Sequence, residues 1–202
     1  MYCILVTGIP AAGTSTMAAR ISKELNIPVI SKDSIKELLF DRVGFQSREE
    51  KVKLGVASMD IMYYIAKQLM QIGQPFILEN NFENSSKAGL EKILAEYPYR
   101  VLTITLTGDY QVIYQRFLER NVSPERHRGH VVNDCYPEKV VRSTEELQTV
   151  AISFEDYMHG IAQRGFDTFT AGDGQIKVDT TDFSKVDMEQ LLEEIQRWRA
   201  KQ

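Results

Sequence analysis

Short apolar runs alternate along the chain with longer segments in which apolar residues recur every three or four positions. The apolar runs predict buried strands, whereas the periodic segments predict helices with one face on a core. The predicted strands cover residues 3–6, 27–30, 75–78, 101–106 and 175–178. The predicted helices begin or lie at residues 16–25, 34–40, 48–72, 85–95, 109–121, 137–159 and 184–198. Strands that alternate with helices indicate a parallel sheet between two helical layers.

Polar residues at the edges of these segments predict where helices begin and end. Ser34 and Glu37 have capping-box spacing at the start of the second helix. Gly73 follows the long third helix, as expected of a C-terminal cap. Ser184 and Asp187 are the predicted caps of the last helix.

The first strand is followed by a turn, Gly8-Ile9-Pro10-Ala11-Ala12-Gly13-Thr14-Ser15-Thr16, that leads into a helix. Its spacing is that of the phosphate-binding motif G-x-x-x-x-G-K-[ST], except that Thr14 stands where the motif has lysine. Since Pro10 has no N–H, the amides of residues 11–16 are expected to surround a phosphate, helped by the positive end of the helix. The Ser15 hydroxyl is placed to bind Mg²⁺. The alternative is an ordinary structural turn.

Composition favours one globular domain over residues 1–202, because 43% of the residues are hydrophobic and 26% are charged. The net charge of −4 argues against general affinity for nucleic acids or anionic membranes. No run reaches the ~20 apolar residues of a membrane span, and no signal peptide precedes the first strand. The sequence therefore predicts a cytoplasmic protein.

Six stretches of the chain carry a resemblance to a known family. In chain order they are GIPAAGTST, VISKDSIKELLF, FILENNF, LTGDYQVIYQRFLERN, ERHRGH and KVDTTDF. Together they resemble a small predicted-kinase family of P-loop proteins, related to polynucleotide kinase, gluconate kinase and the zeta-toxin kinases. The resemblance implies a five-stranded P-loop kinase fold, ATP with Mg²⁺ as the phosphoryl donor, and a hydroxyl group as the acceptor. It does not identify the acceptor.

The resemblance and the predicted sheet edge together suggest roles for single residues. Asp33 lies where the family has an acidic residue that accepts the acceptor's proton; the alternative is a helix cap. Lys36 is a candidate contact to the acceptor or its phosphate, unless it is a solvated helix lysine. Glu79 ends the third strand and is a candidate for holding a magnesium-bound water; an ordinary strand-end carboxylate is an equal alternative. The family also places a loop such as residues 179–181 near the adenine, although a plain turn is an equal alternative.

Four arginines lie ahead of and within a long polar segment, residues 121–137, which we name the lid segment. They are Arg116, Arg120, Arg126 and Arg128. A mobile lid that brings guanidinium groups onto the transferred phosphate would explain them, whereas arginines on such loops are often only solvated. The lid interpretation predicts that this segment becomes ordered when nucleotide binds.

Three functions remain open from the sequence. A phosphotransferase acting on a small hydroxyl compound is preferred, because the chain is acidic and Asp33 offers a base. A kinase for nucleic-acid 5′-hydroxyl groups is less favoured. A nucleotide-binding sensor or pseudokinase without catalysis is the alternative that Thr14 supports, because a missing lysine charge weakens phosphoryl transfer more than binding.

Overall fold

The computed structural model describes residues 1–149 and 151–201. Its centre is a sheet of five parallel strands in the order β2-β3-β1-β4-β5. The strands are β1 (Tyr2–Gly8), β2 (Val29–Ser31), β3 (Phe76–Glu79), β4 (Arg100–Thr107) and β5 (Gly174–Asp179). The carboxyl ends of β1, β2 and β3 therefore meet at one edge of the sheet, where α/β proteins bind their ligands.

Helices connect the strands and cover both faces of the sheet. In chain order they are α1 (Thr14–Leu25), α2 (Lys32–Arg42), α3 (Arg48–Gln71), α4 (Lys87–Glu96), α5 (Tyr110–Val122), α6 (Arg128–Val131), α7 (Thr144–Thr149), α8 (Phe154–Arg164) and α9 (Met188–Ala200). No helix within residues 1–149 and 151–201 combines the length and the apolar character needed to cross a bilayer.

The central strand β1 contributes to two separate hydrophobic clusters because its side chains alternate between the faces of the sheet. Ile4 and Val6 pack with residues of α1, α8 and α9. Cys3 and Leu5 pack on the opposite face with residues of α3 and α4. All four residues are fully buried, so the strand that carries the glycine turn is fixed on both sides. The predicted three-layer arrangement is confirmed.

The structure corrects several predicted boundaries. Ser31, not Ser34, caps α2, since its side chain accepts a hydrogen bond from the Ser34 amide. Asp187 alone caps α9, whereas Ser184 belongs to a preceding 3₁₀ turn. The helix predicted over residues 137–159 is two shorter helices, α7 and α8, with residues 137–143 outside any helix. The apolar period continues across that break, but Ser153 starts a new helix by accepting from the Asp156 amide; Val150 lies outside the described residues.

Candidate active site

The turn between β1 and α1 has the backbone geometry that a phosphate-binding loop requires. Gly13 caps α1 with φ 95°, in the left-handed region that glycine tolerates best. A Cβ at this position would lie 2.7 Å from the Phe183 ring, so the close approach of that ring also demands glycine. The first amides of α1 have no partner within the helix and lie at its positive end. The loop can therefore surround an anion.

Side chains from three other elements hold carbonyl oxygens of this loop. Asn81 Nδ2 donates to Gly8 O at 2.7 Å, and Tyr157 Oη donates to Pro10 O at 2.7 Å. Arg116 donates to Ala11 O at 3.4 Å. Because these donors fix the carbonyl side of the loop, its amide side is preorganised before any phosphate binds.

Glu79 lies at the end of β3 and receives hydrogen bonds from three hydroxyl groups. Thr14 Oγ1 and Ser15 Oγ donate to Glu79 Oε1 at 2.5 and 3.1 Å, and Ser31 Oγ donates to Oε2 at 2.6 Å. The residue is only 3% exposed. These bonds join the ends of β2 and β3 to the start of α1, and they commit the Thr14 hydroxyl to the carboxylate.

The oxygen atoms around Glu79 fit a magnesium ion chemically. Mg²⁺ prefers oxygen ligands and keeps several waters, and it is usually held by few protein groups together with substrate phosphates. The Ser15 side chain is at the exposed mouth of the loop and offers a hydroxyl. Glu79 has both oxygens occupied by protein hydroxyls, so it suits an outer contact through water better than direct coordination.

Asp33 lies in the first turn of α2, directly after the edge strand β2. It is not the cap of the helix, since Ser31 has that position, and its side chain is 38% exposed. Burial by itself would raise the pKa of Asp33, but the charges of Lys32, Arg126 and Lys36 outweigh it and lower that pKa. Asp33 is therefore a carboxylate at neutral pH, available to accept a hydrogen bond.

Lys36 lies one turn after Asp33 on α2. Its ammonium group is 5.3 Å from the centre of the Phe40 ring and makes no hydrogen bond or ion pair within the described part of the chain. Burial, then the charge of Lys32, lower the pKa of Lys36 to about 8, while Asp33 partly opposes them. A cation in this state favours an anionic partner.

Arg120 and Arg126 face the same region from the other side. The Nε atom of each is buried and has no hydrogen-bond partner among residues 1–149 and 151–201. Burial lowers the pKa of both guanidinium groups, to about 10 for Arg120, whereas Asp33 and Glu79 act in the opposite direction. Two desolvated cations therefore lie near the acidic residues at the sheet edge without a direct partner, which is costly unless an anion binds.

The other two predicted lid arginines have protein partners. Arg116 donates to Thr180 O at 3.0 Å and to Thr181 O at 3.1 Å, so it joins the phosphate loop to the turn after β5. Arg128 makes a bidentate contact with Glu138, at 2.6 and 2.7 Å. In this arrangement Arg116 positions the loop and Arg128 stabilises the lid segment, while Arg120 and Arg126 make no hydrogen bond or ion pair among the residues that the structure describes.

The lid segment is packed against α2 and α3 around a small aromatic cluster. Phe40 and Phe45 pack with Val132, and a Cβ at Gly129 would lie 2.4 Å from the Phe40 ring. Only glycine allows α6 to come so close to that ring. His127 contacts Asp41 at 3.0 Å, and His130 contacts Glu37 at 2.9 Å.

Lys51 of α3 holds the same segment from below. Its ammonium group is buried and donates to His130 O, Val132 O and Asn133 Oδ1 at 2.8, 2.5 and 3.0 Å. Burial, then the positive charges of Lys36 and Arg48, lower the pKa of Lys51 to about 7. The lid segment is therefore held by a lysine whose charged form is disfavoured by burial.

Sequence reasoning missed the residues that hold the site from a distance. Ser31, Asn81 and Tyr157 contact Glu79 and the loop, and Lys51 contacts the lid segment. Ser31 is the last residue of β2 and Asn81 lies two residues after β3, so their positions at the ends of buried strands were a usable signal. Tyr157 and Lys51 lie on helices far along the chain, where local sequence indicates only ordinary helix positions.

The strand, loop and helix, with hydroxyl groups on a strand-end carboxylate and a basic lid, define a P-loop protein of the kinase-like α/β fold. The chain belongs to the AAA domain family AAA_18, whose family model matches residues 4–141. A comparison with curated proteins finds no match.

Solved structures of similar fold agree with this assignment. A candidate kinase from Chloroflexus aurantiacus J-10-fl is 24% identical, over 97% of this chain and 94% of that chain, with a TM-score of 0.72. A sugar kinase from Janibacter sp. HTCC2649 is 14% identical, over 98% and 94%, with a TM-score of 0.53. Shikimate kinase from Bacteroides thetaiotaomicron is 13% identical, over 98% and 96%, also with a TM-score of 0.53. The resemblance to small P-loop kinases is confirmed at the level of fold.

Proposed function

We propose that this protein transfers the γ-phosphoryl group of ATP to the hydroxyl group of a small molecule. The observation that carries the proposal is the position of Asp33 near Arg120 and Arg126, whose Nε atoms are buried without a partner in the described part of the chain. Both arginines also interact with Glu79, which accepts hydrogen bonds from the phosphate loop. A protein that only binds nucleotide needs the loop but has no need of a carboxylate base facing it. The kinase fold of the family and of the solved neighbours supports the same reaction class.

The proposed step needs positioning and charge neutralisation more than covalent chemistry from the protein. The acceptor oxygen forms a bond to the γ-phosphorus, and the bond to the bridging oxygen breaks, so that the electron pair leaves with ADP. The hydroxyl proton passes to Asp33. Arg120 and Arg126 stabilise charge on the transferred group, and the amides of the loop and α1 hold the other phosphates.

Mg²⁺, when bound, neutralises charge on the phosphate oxygens as the bridging bond breaks. Ser15 is the residue that would contact it directly, and Glu79 the one that would contact it through water. Thr14 contributes a hydroxyl bond to Glu79 but no charge. We therefore expect this loop to bind nucleotide better than it promotes transfer.

The test is phosphoryl transfer from labelled ATP with Mg²⁺ to a panel of small hydroxyl compounds and a 5′-hydroxyl oligonucleotide. Asp33→Asn is the catalytic control, and Asp60→Asn on the outer face of α3 is its matched surface control. Transfer to small compounds that depends on Asp33 supports the proposal. Transfer only to the oligonucleotide, weakened strongly by salt, would assign a nucleic-acid kinase instead.

A second function is favoured by Thr14 alone. If the protein binds Mg²⁺ and ATP but transfers to no acceptor above the Asp33→Asn background, it is a nucleotide-binding sensor. Calorimetry of nucleotide binding to the unmodified protein and to Asp33→Asn separates this result from a loss of nucleotide binding.

A further inference from the structure

The part of the site beyond Asp33 is positively charged although the chain as a whole is acidic. Lys36, Arg48 and Arg126 are close enough for each to affect the pKa of Lys51, and Arg48 and Arg126 also act on Lys36. The Lys32 Nζ atom is 3.6 Å from Asp33 Oδ1, so the carboxylate balances the charge of this lysine. Arg48 donates to the Asn133 amide oxygen at 2.6 Å. Within the described part of the chain, Lys36 and Arg126 make no hydrogen bond or ion pair with a carboxylate, although the charge of Asp33 acts on both.

The ATP phosphates account poorly for Lys36. The loop that binds them follows β1, and α2 follows β2, which is two strands away in the sheet. Neighbouring strands are ~4.8 Å apart, so α2 begins about 10 Å across the sheet edge from the loop. Lys36 is directed further toward α3, because its Nζ would be 3.5 Å from a Cβ on Gly55. Arg120 and Arg126 both interact with Glu79 on the phosphate side, and Arg126 also acts on Lys36.

Gly55 gives a second, independent indication of a ligand. It lies inside the long helix α3, where glycine is less favourable than alanine. Its backbone needs no left-handed conformation, and within 4 Å a Cβ would meet only the Cε and Nζ atoms of Lys36, both at 3.5 Å. Packing would therefore accept alanine. A methyl group would lie in van der Waals contact with the ammonium and would cover that side of it.

We infer that the acceptor is itself an anion: a hydroxyl compound whose carboxylate or phosphate group binds between Lys36 and Arg126, with its hydroxyl toward Asp33. This inference rests on the proposed function and adds the substrate class. The anionic group stabilises two cations that are otherwise desolvated and unpaired, and it fixes the distance of the hydroxyl from the base. Charge-assisted contacts of this kind are about twice as strong as neutral hydrogen bonds.

The experiment uses matched compounds on two carbon skeletons. The first set is glycerol, glycerate and glycerol 3-phosphate, and the second is glucose, gluconate and glucose 6-phosphate. One measurement is kcat/KM for phosphoryl transfer. The other is acylation of Lys36 by an N-hydroxysuccinimide acetate at pH 8, followed by peptide mass spectrometry, with a non-hydrolysable ATP analogue and Mg²⁺ present so that the phosphate loop is filled. Bound anion shields the amine and favours its unreactive charged form.

We expect anionic members of a set to reduce Lys36 acylation at least ~10-fold relative to the neutral member, as one charged contact would. The carboxylate and phosphate arms then show which group is preferred. Lys36→Met should remove the preference in kcat/KM, and Lys36→Arg should restore part of it. Gly55→Ala should weaken protection, whereas Gly160→Ala, in α8 with nothing within 4 Å of its Cβ, should not. Acylation of Lys53, exposed on α3, is the internal reference.

The outcomes separate this inference from the proposed function. Equal protection by neutral and anionic compounds, or protection by none, overturns the anionic subsite. If neutral compounds are phosphorylated as well as anionic ones, the kinase assignment stands and the subsite fails. If anions protect Lys36 but no compound is phosphorylated, the subsite stands and the kinase assignment fails.

Discussion

In the phosphate loop, donors from α5, α8 and the segment after β3 already bond backbone carbonyls, and three hydroxyls bond Glu79. Around Asp33 and the lid segment, by contrast, Arg120, Arg126 and Lys36 are partly buried and make no ion pair among residues 1–149 and 151–201. The first region is preorganised before any ligand binds. The second carries positive charge that Asp33 and Glu79 offset only from a distance, so a bound anion would stabilise it. The difference indicates that the phosphate loop serves nucleotide binding, whereas the region around Asp33 serves selection of the acceptor.

Asp33→Asn should give the largest effect, because it removes the proposed base from the region around the lid segment and leaves the phosphate loop intact. We expect acceptor phosphorylation to fall ~10²–10⁴-fold, the usual contribution of a positioned base. Nucleotide affinity, measured by calorimetry with Mg²⁺, should change little. Equal loss of both properties would mean that Asp33 supports the helix rather than the reaction.

Thr14→Lys should raise phosphoryl transfer by at least about two orders of magnitude, because an ammonium group at the phosphates stabilises the transition state selectively. Nucleotide affinity should change less. Thr14→Met has similar length without charge, and it should not reproduce the gain. If the Thr14 protein already turns over at an ordinary kinase rate and lysine adds nothing, another cation, such as Lys32 or Lys36, fulfils that role.

Ser15→Ala tests the metal on the preorganised side. Removing the hydroxyl should weaken magnesium-dependent nucleotide affinity by roughly 10–100-fold, as for other metal-supporting groups, with little change in affinity measured in EDTA. Ser22→Ala, further along α1 with its hydroxyl on Ile27 O, is the control. An unchanged magnesium dependence in Ser15→Ala would remove the proposed role.

Hydrogen exchange tests whether the lid segment closes over bound nucleotide. Amides of residues 121–135 should exchange ~10-fold more slowly with an ATP analogue and Mg²⁺, since Arg126 of the lid segment gains an anionic partner. Exchange in β4, within the core, is the internal reference. Identical lid protection with and without the analogue would contradict the lid interpretation.

The smallest effect concerns pH and Lys51. Its pKa is about 7 in the folded protein and normal, near 10.4, in the unfolded chain. Between these values the unfolded state binds more protons, so stability should rise with pH, and below about pH 7 this contribution is constant. Lys51→Met should lessen the rise by under ~1 kcal/mol per pH unit, measured by urea unfolding at pH 7 and 9. Its neighbours Lys36, Arg48, Arg126 and Asp134 are present in both proteins and largely cancel. An identical slope in both proteins would contradict the assignment.

Local pattern was sufficient for the strands because each is specified by neighbouring residues. The apolar runs predicted all five strands to within two residues, since a strand buried on both faces needs consecutive apolar side chains. Gly8 and Gly13 predicted the loop, because its backbone tolerates few other residues. The cap of α2 was misassigned, since Ser31 and Ser34 both precede helical sequence and only backbone geometry distinguishes them.

For the site, the sequence by itself determined which residues carry charge at the ends of β2 and β3 and in the lid segment. It assigned one role to four arginines that are identical in chemistry. Only the tertiary structure decided that Arg116 and Arg128 have protein partners, whereas the Nε atoms of Arg120 and Arg126 have none among residues 1–149 and 151–201. The physical reason is that the partners lie 10 to 105 positions away along the chain, so folding alone brings them together.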